Sequence, residues 1–404
     1  MAGMYFNLGY NLDRLTMTRR LLTHFVWVLG AVLFCNSCMK ETYVVPRPIV
    51  LNSTIPHQTR NLIIVTLDGF RWQEVFRGAD STLLHSTRYV KDSRSFMNQQ
   101  FWAPTQAERR RKLLPFLWGT VAKQGKIYGN RTANNLVNVT NPYWISYPGY
   151  NEIFTGYGDP RINSNGFGID PNYNILEFLN QQPGFGGDSV AAVCEWGKFT
   201  DMLSVKRNGL HVIAGAHKGS PVDRYLSDST NQSIRDYGIT LPILPVALDT
   251  ENFYDYQVYL TAKSYLMRYK PRVLYMSFAG TDADGHHGRY DQYLKDAYNI
   301  DQMVSDLWQY VQTDPQYQDN TTLFITTDHG RGTGDEWTNH GYFIDHSDQI
   351  WFAVMGPDTQ PLGEIRVAQQ LYQKQFAKSL VAFLGFRVQG IKGMGEAITG
   401  LMDR

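Results

Sequence analysis

The sequence predicts an α/β protein, a three-layer α/β/α sandwich whose central sheet is mostly parallel. The first observation is a set of short apolar runs rich in β-branched residues, which are typical of buried strands; they cover residues 61–67, 189–195, 273–278, 323–327 and 349–355. The second is a long amphipathic pattern after residue 290, with apolar residues at helical spacing as far as Val311. Buried strands that alternate with such helices indicate a sheet covered by helices on both faces.

The first 58 residues are expected to lie outside the folded domain. Two arginines precede an apolar run at residues 21–34, which is short for a membrane span and suits the core of a signal peptide. The end of this segment resembles a bacterial lipoprotein signal, so we expect residues 1–37 to be removed and a lipid to be attached to Cys38. A plain signal peptide or an uncleaved anchor is the alternative. Residues 38–58 are polar and contain prolines, which favours a tether.

Charge and cysteine content narrow the classes of partner. The 404-residue chain has a net charge of +1, so no strong field indicates a nucleic-acid partner, and a small-molecule ligand is expected. A lipid on Cys38 would place the exported protein on a bacterial membrane, on its periplasmic or cell-surface side. If Cys35 leaves with the signal peptide, Cys194 is the one unmodified cysteine, and no disulfide can form within the chain.

One folded domain is predicted for residues 59–404. Insertions are expected near residues 80–140 and 200–255, where they would build the rim of a cleft. Within the first, a capping-box pattern at Thr105 predicts a helix that runs toward Gly125 and is kinked by a proline on the way.

The end of the domain is predicted to be helical. Apolar residues, among them Val367 and Ala368, recur at helical spacing and favour a helix over residues 364–384 with an inward-facing apolar side. Gly385 would end this helix. Residues 203–248, by contrast, are polar and without a clear period, and we expect irregular structure there.

Acidic and histidine side chains follow the predicted strands where these strands end. They are Asp68, Asp282, His286, Asp328, His329 and, in the loop after the last strand, His340. The carboxyl ends of parallel strands meet at one edge of the sheet, which is the usual place for chemistry in an α/β fold. Carboxylates and imidazoles are ligands of divalent metals. An Asp in such a place also commonly caps a helix or lies in a polar turn, so each residue alone is a weak signal.

Ser146 lies at the predicted start of a helix, shortly before Pro148. A helix N-terminus offers unpaired N–H groups and the positive end of the helix dipole, which together attract an anion. A serine in this position can act as a nucleophile toward an anionic phosphorus centre. Simple capping of the helix is the alternative and the commoner role of such a serine.

These pieces and their order resemble the alkaline phosphatase superfamily, specifically its type I phosphodiesterase/nucleotide pyrophosphatase branch, over residues 60–357. The motifs that carry the resemblance are Asp-Gly-Phe-Arg after a strand, a Ser-aromatic-Pro element that ends in Thr-Gly, an Asp-x-x-x-His loop, and Asp-His-Gly after a strand. The resemblance implies that one metal is held by Asp68, Ser146, Asp328 and His329. It implies that a second metal is held by Asp282, His286 and His340, with His346 as the alternative to His340.

The resemblance also implies a mechanism. The hydroxyl of Ser146, activated by a bound metal, would attack phosphorus in line and form a phosphoseryl intermediate that water then hydrolyses. A mixed set of imidazole and carboxylate ligands suits two Zn²⁺ ions, with Mn²⁺ as the alternative. Asn165 and Lys198 are candidates for binding the phosphoryl oxygens of the substrate.

We therefore expect a metal-dependent hydrolase of phosphate esters that acts on phosphodiesters or nucleotide-type substrates. A phosphomonoesterase of the same fold is one alternative. A sulfatase relative is another, although Tyr150 occupies the position where the sulfatase motif requires arginine. A third alternative is a non-catalytic, glycan-binding lipoprotein with the same fold. The aromatic content of 14% fits such a glycan-binding protein.

Processing before Cys38 can be tested by intact-mass measurement on protein extracted from membranes. We expect a mature chain that begins at Cys38 and carries the added mass of a lipid, because the apolar core of the signal ends just before it. A mature chain that begins at any other residue would contradict this prediction.

Overall fold

The computed structural model describes residues 49–50, 57–227, 250–389 and 393–402. The predicted signal peptide, its lipid acceptor Cys38 and most of the predicted tether lie outside the described residues, as does the stretch 228–249 of the second predicted insertion. In the part of the chain that the structure describes, no helix has both the length and the apolar character needed to cross a bilayer.

Eight strands form the central sheet. The described residues contain twelve strands in all, which are β1 (Ile49–Val50), β2 (Asn61–Leu67), β3 (Gly125–Tyr128), β4 (Asn135–Asn138), β5 (Val190–Cys194), β6 (His211–Ala214), β7 (Val273–Phe278), β8 (Thr321–Thr326), β9 (Phe352–Met355), β10 (Gly363–Glu364), β11 (Gln369–Tyr372) and β12 (Val388–Gln389). Their order in the sheet is β10-β3-β9-β8-β2-β7-β5-β6. Strand β9 runs antiparallel to β8 and β3, and the other neighbours are parallel, which confirms a mostly parallel sheet. Strand β1 pairs with β12, and β4 with β11, outside this sheet.

Helices cover both faces of the sheet. They are α1 (Trp72–Arg77), α2 (Ser81–Leu84), α3 (Arg94–Phe101), α4 (Gln106–Leu113), α5 (Ala122–Gln124), α6 (Ser146–Thr155), α7 (Ile175–Asn180), α8 (Phe199–Met202), α9 (Val205–Asn208), α10 (Pro221–Tyr225), α11 (Thr250–Tyr269), α12 (Gly280–His286), α13 (Tyr290–Val311) and α14 (Phe376–Phe383). A π-helical turn at Leu117–Val121 precedes α5, and short 3₁₀ turns occupy Arg131–Ala133, Gly187–Ser189, Gly334–Thr338 and Gln373–Gln375.

Each face of the sheet has its own hydrophobic core. Every residue of β2 is buried, and its side chains alternate between the two faces. Ile63 and Val65 pack in the core that contains apolar residues of α11 and α13, whereas Leu62 and Ile64 pack in the core built with α6, α7 and α14. The predicted three-layer sandwich is therefore confirmed, since one sheet separates two helical layers.

Three segments that were expected to be loops, insertions or irregular contain regular structure of the main fold. The segment after β7, predicted to be a loop, is helix α12, and the Asp255 carboxylate accepts the backbone N–H groups of Ala279 and Gly280 at its start. The predicted insertion 80–140 includes β3, and the segment expected to be irregular after residue 203 includes β6; both strands belong to the central sheet.

Two of the predicted helices, the one that begins after Thr105 and the one near the C-terminus, are shorter than expected. The capping box at Thr105 is present, but α4 ends before Leu114, whose φ and ψ of −130° and 68° leave the helical region because a proline follows. At the C-terminus the prediction of a helix from residue 364 was wrong. Strand β10 pairs with β3 there, and Val367 and Ala368 are exposed, so pairing with the sheet overrides local helix propensity.

Helix α6 is buried along its whole length, and one carboxylate fixes the chain that leads into it. Glu152 is fully buried and accepts hydrogen bonds from the backbone N and Oγ1 of Thr140 and from the backbone N of Asn141, at 2.7–2.9 Å to the nearer oxygen. Asn141 Oδ1 in turn accepts from the N–H groups of Tyr143 and Trp144. The segment before Ser146 is therefore positioned by buried hydrogen bonds rather than by secondary structure.

Glu152→Ala should strongly destabilise the protein. It leaves several buried donors without an acceptor, and at about 1–3 kcal/mol for each we expect the free energy of unfolding to fall by about 3 kcal/mol or more. Urea denaturation would measure the loss. Glu396→Ala is the matched control, because its exposed carboxylate pairs only with Lys378 and should cost at most about 1 kcal/mol. Equal losses in the two variants would contradict this role of Glu152.

Candidate metal centre and nucleophile

Strand β2 delivers Asp68 to the carboxyl edge of the sheet, and the chain turns at Gly69. This glycine has φ of +58°, and a Cβ there would lie 2.6 Å from Oδ1 of Asp282. Both the left-handed turn and the close approach therefore require glycine. Asp68 Oδ2 accepts a hydrogen bond from the Tyr150 hydroxyl at 3.0 Å, while its Oδ1 is buried without a hydrogen-bond partner among the described residues.

Asp328 and His329 follow β8, the neighbour of β2, and meet Asp68. His329 Nε2 is 3.4 Å from Asp68 Oδ1 and 3.4 Å from Asp328 Oδ2. The Gly69 N–H donates to Asp328 Oδ1 at 3.0 Å, whereas the structure gives the buried Oδ2 no partner within the described ranges. We call Asp68, Asp328 and His329 the first group. In this group one oxygen of each carboxylate accepts a hydrogen bond, and the other oxygen lies beside the His329 imidazole.

Asp282, His286 and His340 form a second group. Asp282 and His286 are one turn apart on α12, and His286 Nε2 is 3.2 Å from Asp282 Oδ2. His340 Nε2 is 3.0 Å from His286 Nε2 and 3.6 Å from Asp282 Oδ1. The rings of His329 and His340 stack with centroids 3.9 Å apart, so the two groups adjoin.

Backbone carbonyls orient two of the histidines. His329 Nδ1 lies 2.8 Å from the carbonyl of Gly330, and His340 Nδ1 lies 3.2 Å from the carbonyl of Trp144. Because a carbonyl only accepts, each Nδ1 carries the proton and each Nε2 presents a lone pair. Burial lowers the pKa of His329 to about 4 and, together with His329, lowers the pKa of His340 to about 3. Both rings are therefore neutral at pH 7, the form that binds metals.

Ser146 is the first residue of α6 and lies beside the first group. Its Oγ is 3.3 Å from His329 Nε2. The N-cap of the helix is Ile145, which makes no side-chain capping bond, so Ser146 does not serve as the N-cap. Gly149 allows the close approach, because a Cβ there would lie 2.6 Å from the carbonyl oxygen of Asp328. Ser146 is 5% exposed, and its hydroxyl does not cap the helix.

The carboxylates of the site experience opposite electrostatic environments. Burial, reinforced by the Asp282 carboxylate, raises the pKa of Asp68 to about 7. Burial and the adjacent Asp68 raise the pKa of Asp328 well above its ordinary value. Burial acts in the same direction on Asp282, but the Arg331 guanidinium and the neighbouring histidines together outweigh it and hold the pKa of Asp282 well below its ordinary value. Among the described residues, the negative charge of the first group therefore has no neutralising side chain beside it comparable to Arg331, which neutralises Asp282 in the second group.

The candidate substrate-binding residues lie on two segments: Asn165 lies between α6 and α7, and Lys198 lies between β5 and α8. Asn165 Oδ1 accepts the backbone N–H of Tyr147 at 3.0 Å, which places this amide at the N-terminus of α6. Lys198 Nζ donates to the carbonyl of Phe167 at 3.2 Å and to Asp201 at 3.1 Å. Asn165 is thus next to the nucleophile position, whereas the charge of Lys198 is already paired.

Two further histidines that adjoin predicted ligands do not join either group. His346 is exposed, and its Nδ1 accepts a hydrogen bond from Gln349 Nε2 at 2.8 Å. His287 is exposed at the C-terminal end of α12. The geometry therefore brings His340, and not His346, to Asp282 and His286.

Residues 80–382 match the family model of type I phosphodiesterase/nucleotide pyrophosphatase. The chain belongs to this family. The matched region contains every residue of both groups except Asp68, whose place in the first group is given by the geometry. A comparison with curated protein sequences finds no significant match.

Solved structures with the same fold belong to the alkaline phosphatase superfamily. The wild-type alkaline phosphatase PafA is 11% identical with a TM-score of 0.55, and the superposition covers 87% of this chain and all of PafA. The phosphonate monoester hydrolase of Agrobacterium radiobacter is 12% identical with a TM-score of 0.52, and the match covers 85% of this chain and 77% of the hydrolase. At these identities the likeness shows the fold, and together with the family it makes this chain a phosphoric ester hydrolase.

The residues present fit the divalent metals that enzymes of this superfamily use. In the first group, two buried carboxylate oxygens without hydrogen bonds converge on the lone pair of His329 Nε2. In the second, the Nε2 atoms of His286 and His340 are 3.0 Å apart beside Asp282. Like-charged oxygens and facing lone pairs repel each other unless a cation or a proton lies between them, so both groups have the donor chemistry of a metal site.

Arg331 is a site residue that the sequence analysis did not identify. Its fully buried guanidinium contacts Asp282 Oδ1 and donates to the carbonyls of Trp337 and Thr338 in the turn that leads to His340. In this phosphodiesterase/pyrophosphatase family member it therefore ties the second group to the loop that carries one of its histidines. The signal in the sequence was its place directly after the Asp-His-Gly triplet.

Asp282→Ala should lower the bound metal by about one ion per chain. The substitution removes the carboxylate that His286 and His340 share, and a site that loses one of three ligands binds its metal far more weakly. Elemental analysis of purified protein measures the stoichiometry. Asp345→Ala, which removes an exposed carboxylate from the same loop as His340, is the control and should change nothing. Unchanged metal content in Asp282→Ala would refute the assignment.

Proposed function

We propose that this phosphoric ester hydrolase acts on phosphodiesters with an organic group on each side of phosphorus, of nucleotide type or similar, through a phosphoseryl intermediate on Ser146. The observation that carries the proposal is the Ser146 hydroxyl, which lies at the start of a buried helix and 3.3 Å from His329, where the two groups adjoin. A serine held only to cap a helix would not occupy this place.

The reaction follows from the position of the serine. Ser146 Oγ forms a bond to phosphorus while the bond from phosphorus to the leaving oxygen breaks, and the serine proton is lost as the leaving oxygen departs and is protonated. The Asn165 side chain, whose Oδ1 accepts the Tyr147 N–H, would bind a phosphoryl oxygen through its amide nitrogen. Water then cleaves the new bond to phosphorus, which restores the hydroxyl and releases the phosphorylated product.

Two divalent metals would complete this site. Asp68, Asp328 and His329 with Ser146 Oγ would hold one, and Asp282, His286 and His340 would hold the other. When bound, such ions supply Lewis-acid stabilisation of the charge on the attacking and leaving oxygens. Imidazole and carboxylate donors without cysteine favour Zn²⁺, with Mn²⁺ as the alternative.

The surroundings of Ser146 favour a diester over a monoester. Trp144 and Tyr342 pack with ring centroids 5.8 Å apart, and Phe343 extends this surface and is 90% exposed. The backbone carbonyl of Trp144 accepts the His340 hydrogen bond, so these rings adjoin the site. An aromatic surface suits an organic group on phosphorus, and the pairing of Lys198 with Asp201 leaves less positive charge for the additional negative charge of a monoester.

Ser146→Ala should reduce turnover at least about a thousandfold, because it removes the nucleophile itself. Ser146→Thr is the matched variant, since it keeps a hydroxyl at the start of α6 and should retain measurable activity. Hydrolysis of bis-p-nitrophenyl phosphate measures both, with thermal unfolding to show that the fold is kept. Wild-type turnover in Ser146→Ala would exclude the phosphoseryl mechanism.

The substrate class can be tested with three chromogenic esters. We expect bis-p-nitrophenyl phosphate and a p-nitrophenyl nucleotide ester to be hydrolysed with kcat/KM at least about tenfold above p-nitrophenyl phosphate, and chelator to abolish all three activities. Tyr342→Ala should lower kcat/KM for the diesters by roughly fivefold, the worth of one aromatic contact. Phe96→Ala, which removes an exposed aromatic ring on α3, is the control.

Other outcomes of this test have definite meanings. A preference for p-nitrophenyl phosphate would replace the diesterase by a phosphomonoesterase of the same fold. Hydrolysis of p-nitrophenyl sulfate in preference to all three would indicate a sulfatase, and turnover of none by metal-loaded protein would indicate a binding role.

A further inference from the structure

A polar cavity opens at the edge of the sheet that carries the metal groups. Its volume is about 450 Å³, and its walls come from the segments after β2, β3 and β8 and from the segment before β9. The lining residues are Arg71, Trp72, Gln73, Arg77, Asp80, Arg131, Thr132, Thr333, His346 and Gln349. Neither metal group contributes a residue to it, so the cavity is distinct from the candidate catalytic site.

Two guanidinium groups in this cavity have no carboxylate within ion-pair distance in the described part of the chain. Arg77 lies over the ring of Trp72 at 4.6 Å, and its buried Nε has no hydrogen-bond partner among the described residues. Arg131 donates only to the side-chain oxygen of Asn138, at 3.2 Å, and Asp348 acts on it from beyond 4 Å. Arg71 differs from both, because Glu74 pairs with it.

The rest of the lining offers hydrogen-bond donors. Trp72 Nε1 donates to Gln349 Oε1 at 2.9 Å, and Gln349 Nε2 donates to His346 Nδ1 at 2.8 Å. Since His346 accepts at Nδ1, its other ring nitrogen carries the proton and is a donor. The one carboxylate of the lining, Asp80, already accepts the N–H groups at the start of α2. The cavity therefore presents two guanidinium groups without a carboxylate partner and an imidazole N–H, whereas the lining acceptor without a hydrogen-bond partner among the described residues is Gln73 Oε1.

The backbone of His346 supports a specialised role. Its φ is +75°, in the left-handed region that a non-glycine residue rarely adopts. Such strain costs of order 1–3 kcal/mol and persists where the surrounding structure enforces it, often at binding sites. Here the strained turn is closed by a hydrogen bond from Gln349 N to the His346 carbonyl at 3.0 Å. The strain presents the imidazole at the cavity rather than at the metal groups.

We propose that this cavity binds a phosphate group, with the guanidinium groups of Arg77 and Arg131 and the imidazole of His346 as its donors. Planar guanidinium groups match the oxygens of phosphate in pairs, and unpaired half-buried arginines are stabilised when an oxyanion occupies the space between them. The site needs no metal and no reaction, so it is independent of the proposed diesterase activity. Its ligand is either free phosphate or a phosphorylated organic molecule.

The wall of this cavity is hydrogen-bonded to the loop that carries His340. Arg71, in the wall of the cavity, donates from Nη1 to the carbonyl of Gly332 at 3.0 Å. The Gly332 N–H donates to the carbonyl of Asn339, next to His340, at 3.0 Å. Hydrogen bonds therefore connect the wall of the cavity to the segment that completes the second metal group.

Isothermal titration calorimetry on the full metal-loaded chain tests the proposal, with inorganic phosphate and phenylphosphonate as probes. We expect the wild type to bind two equivalents of probe per chain, one at the metal groups and one in this cavity. Arg77→Gln/Arg131→Gln should bind one, because each charge-assisted hydrogen bond lost costs about tenfold in affinity or more. Arg94→Gln/Arg111→Gln, which removes the same charge from exposed positions of α3 and α4, is the matched control and should bind two.

The alternatives are distinguishable. Tighter binding of phenylphosphonate than of phosphate to the second site would identify an organic phosphate as the ligand class, and the reverse would identify the free anion. Two equivalents retained by the Gln pair, a single wild-type equivalent that the Gln pair also retains, or equal loss in the control pair would each overturn the proposal. If the Gln pair fails to fold, Arg131→Gln alone should weaken the second site at least about tenfold, and unchanged affinity would overturn the proposal. Ester hydrolysis, measured in parallel, tests the diesterase separately.

Discussion

The site depends on carboxylates that adjacent strands force together in the protein interior. Strand β2 pairs in register with β7 and β8, with Leu67 opposite Phe278 and Thr66 opposite Thr326, so the residues that follow these strands begin at one level. Burial of an ion costs several kcal/mol unless an opposite charge compensates it. The protein supplies hydrogen bonds to one oxygen of Asp68 and to one oxygen of Asp328, and it leaves the other oxygen of each for a cation. The neutral histidines beside them complete a set of donors that suits a divalent ion.

The candidate nucleophile, Ser146, reaches this edge from a different layer of the fold. Helix α6 belongs to the core on one face of the sheet, while α13 and α11 belong to the other. The helix can approach the backbone after β8 because Gly149 has no side chain, and Glu152 fixes the segment before it. Two independent supports, one from the strands and one from a packed helix, therefore set the distance between Ser146 and His329.

The features that could be predicted from the sequence depend on local patterns. Apolar runs ended by Asp or His identify the strands and the residues at their ends, and the capping box at Thr105 was equally visible. The rest depends on contacts between distant residues. Helix α12 begins where the Asp255 carboxylate caps it, and Arg331 is a site residue because it contacts Asp282, 49 positions away. The C-terminal segment is extended because a sheet edge is available to it, which no local period reveals.

The order of strands in the sheet governs when the site can form during synthesis. Strand β2 is made first among the central strands but lies between β7 and β8, which are made much later. Until the strand that begins at Val273 leaves the ribosome, β2 has no partner, and until the strand that begins at Thr321 follows, it has only one. During this time its apolar residues need protection from aggregation. Pairing across so long a stretch of chain is slow, because loop closure must precede the stabilising contacts. A growing chain therefore cannot assemble the two candidate metal groups until these late strands have been made.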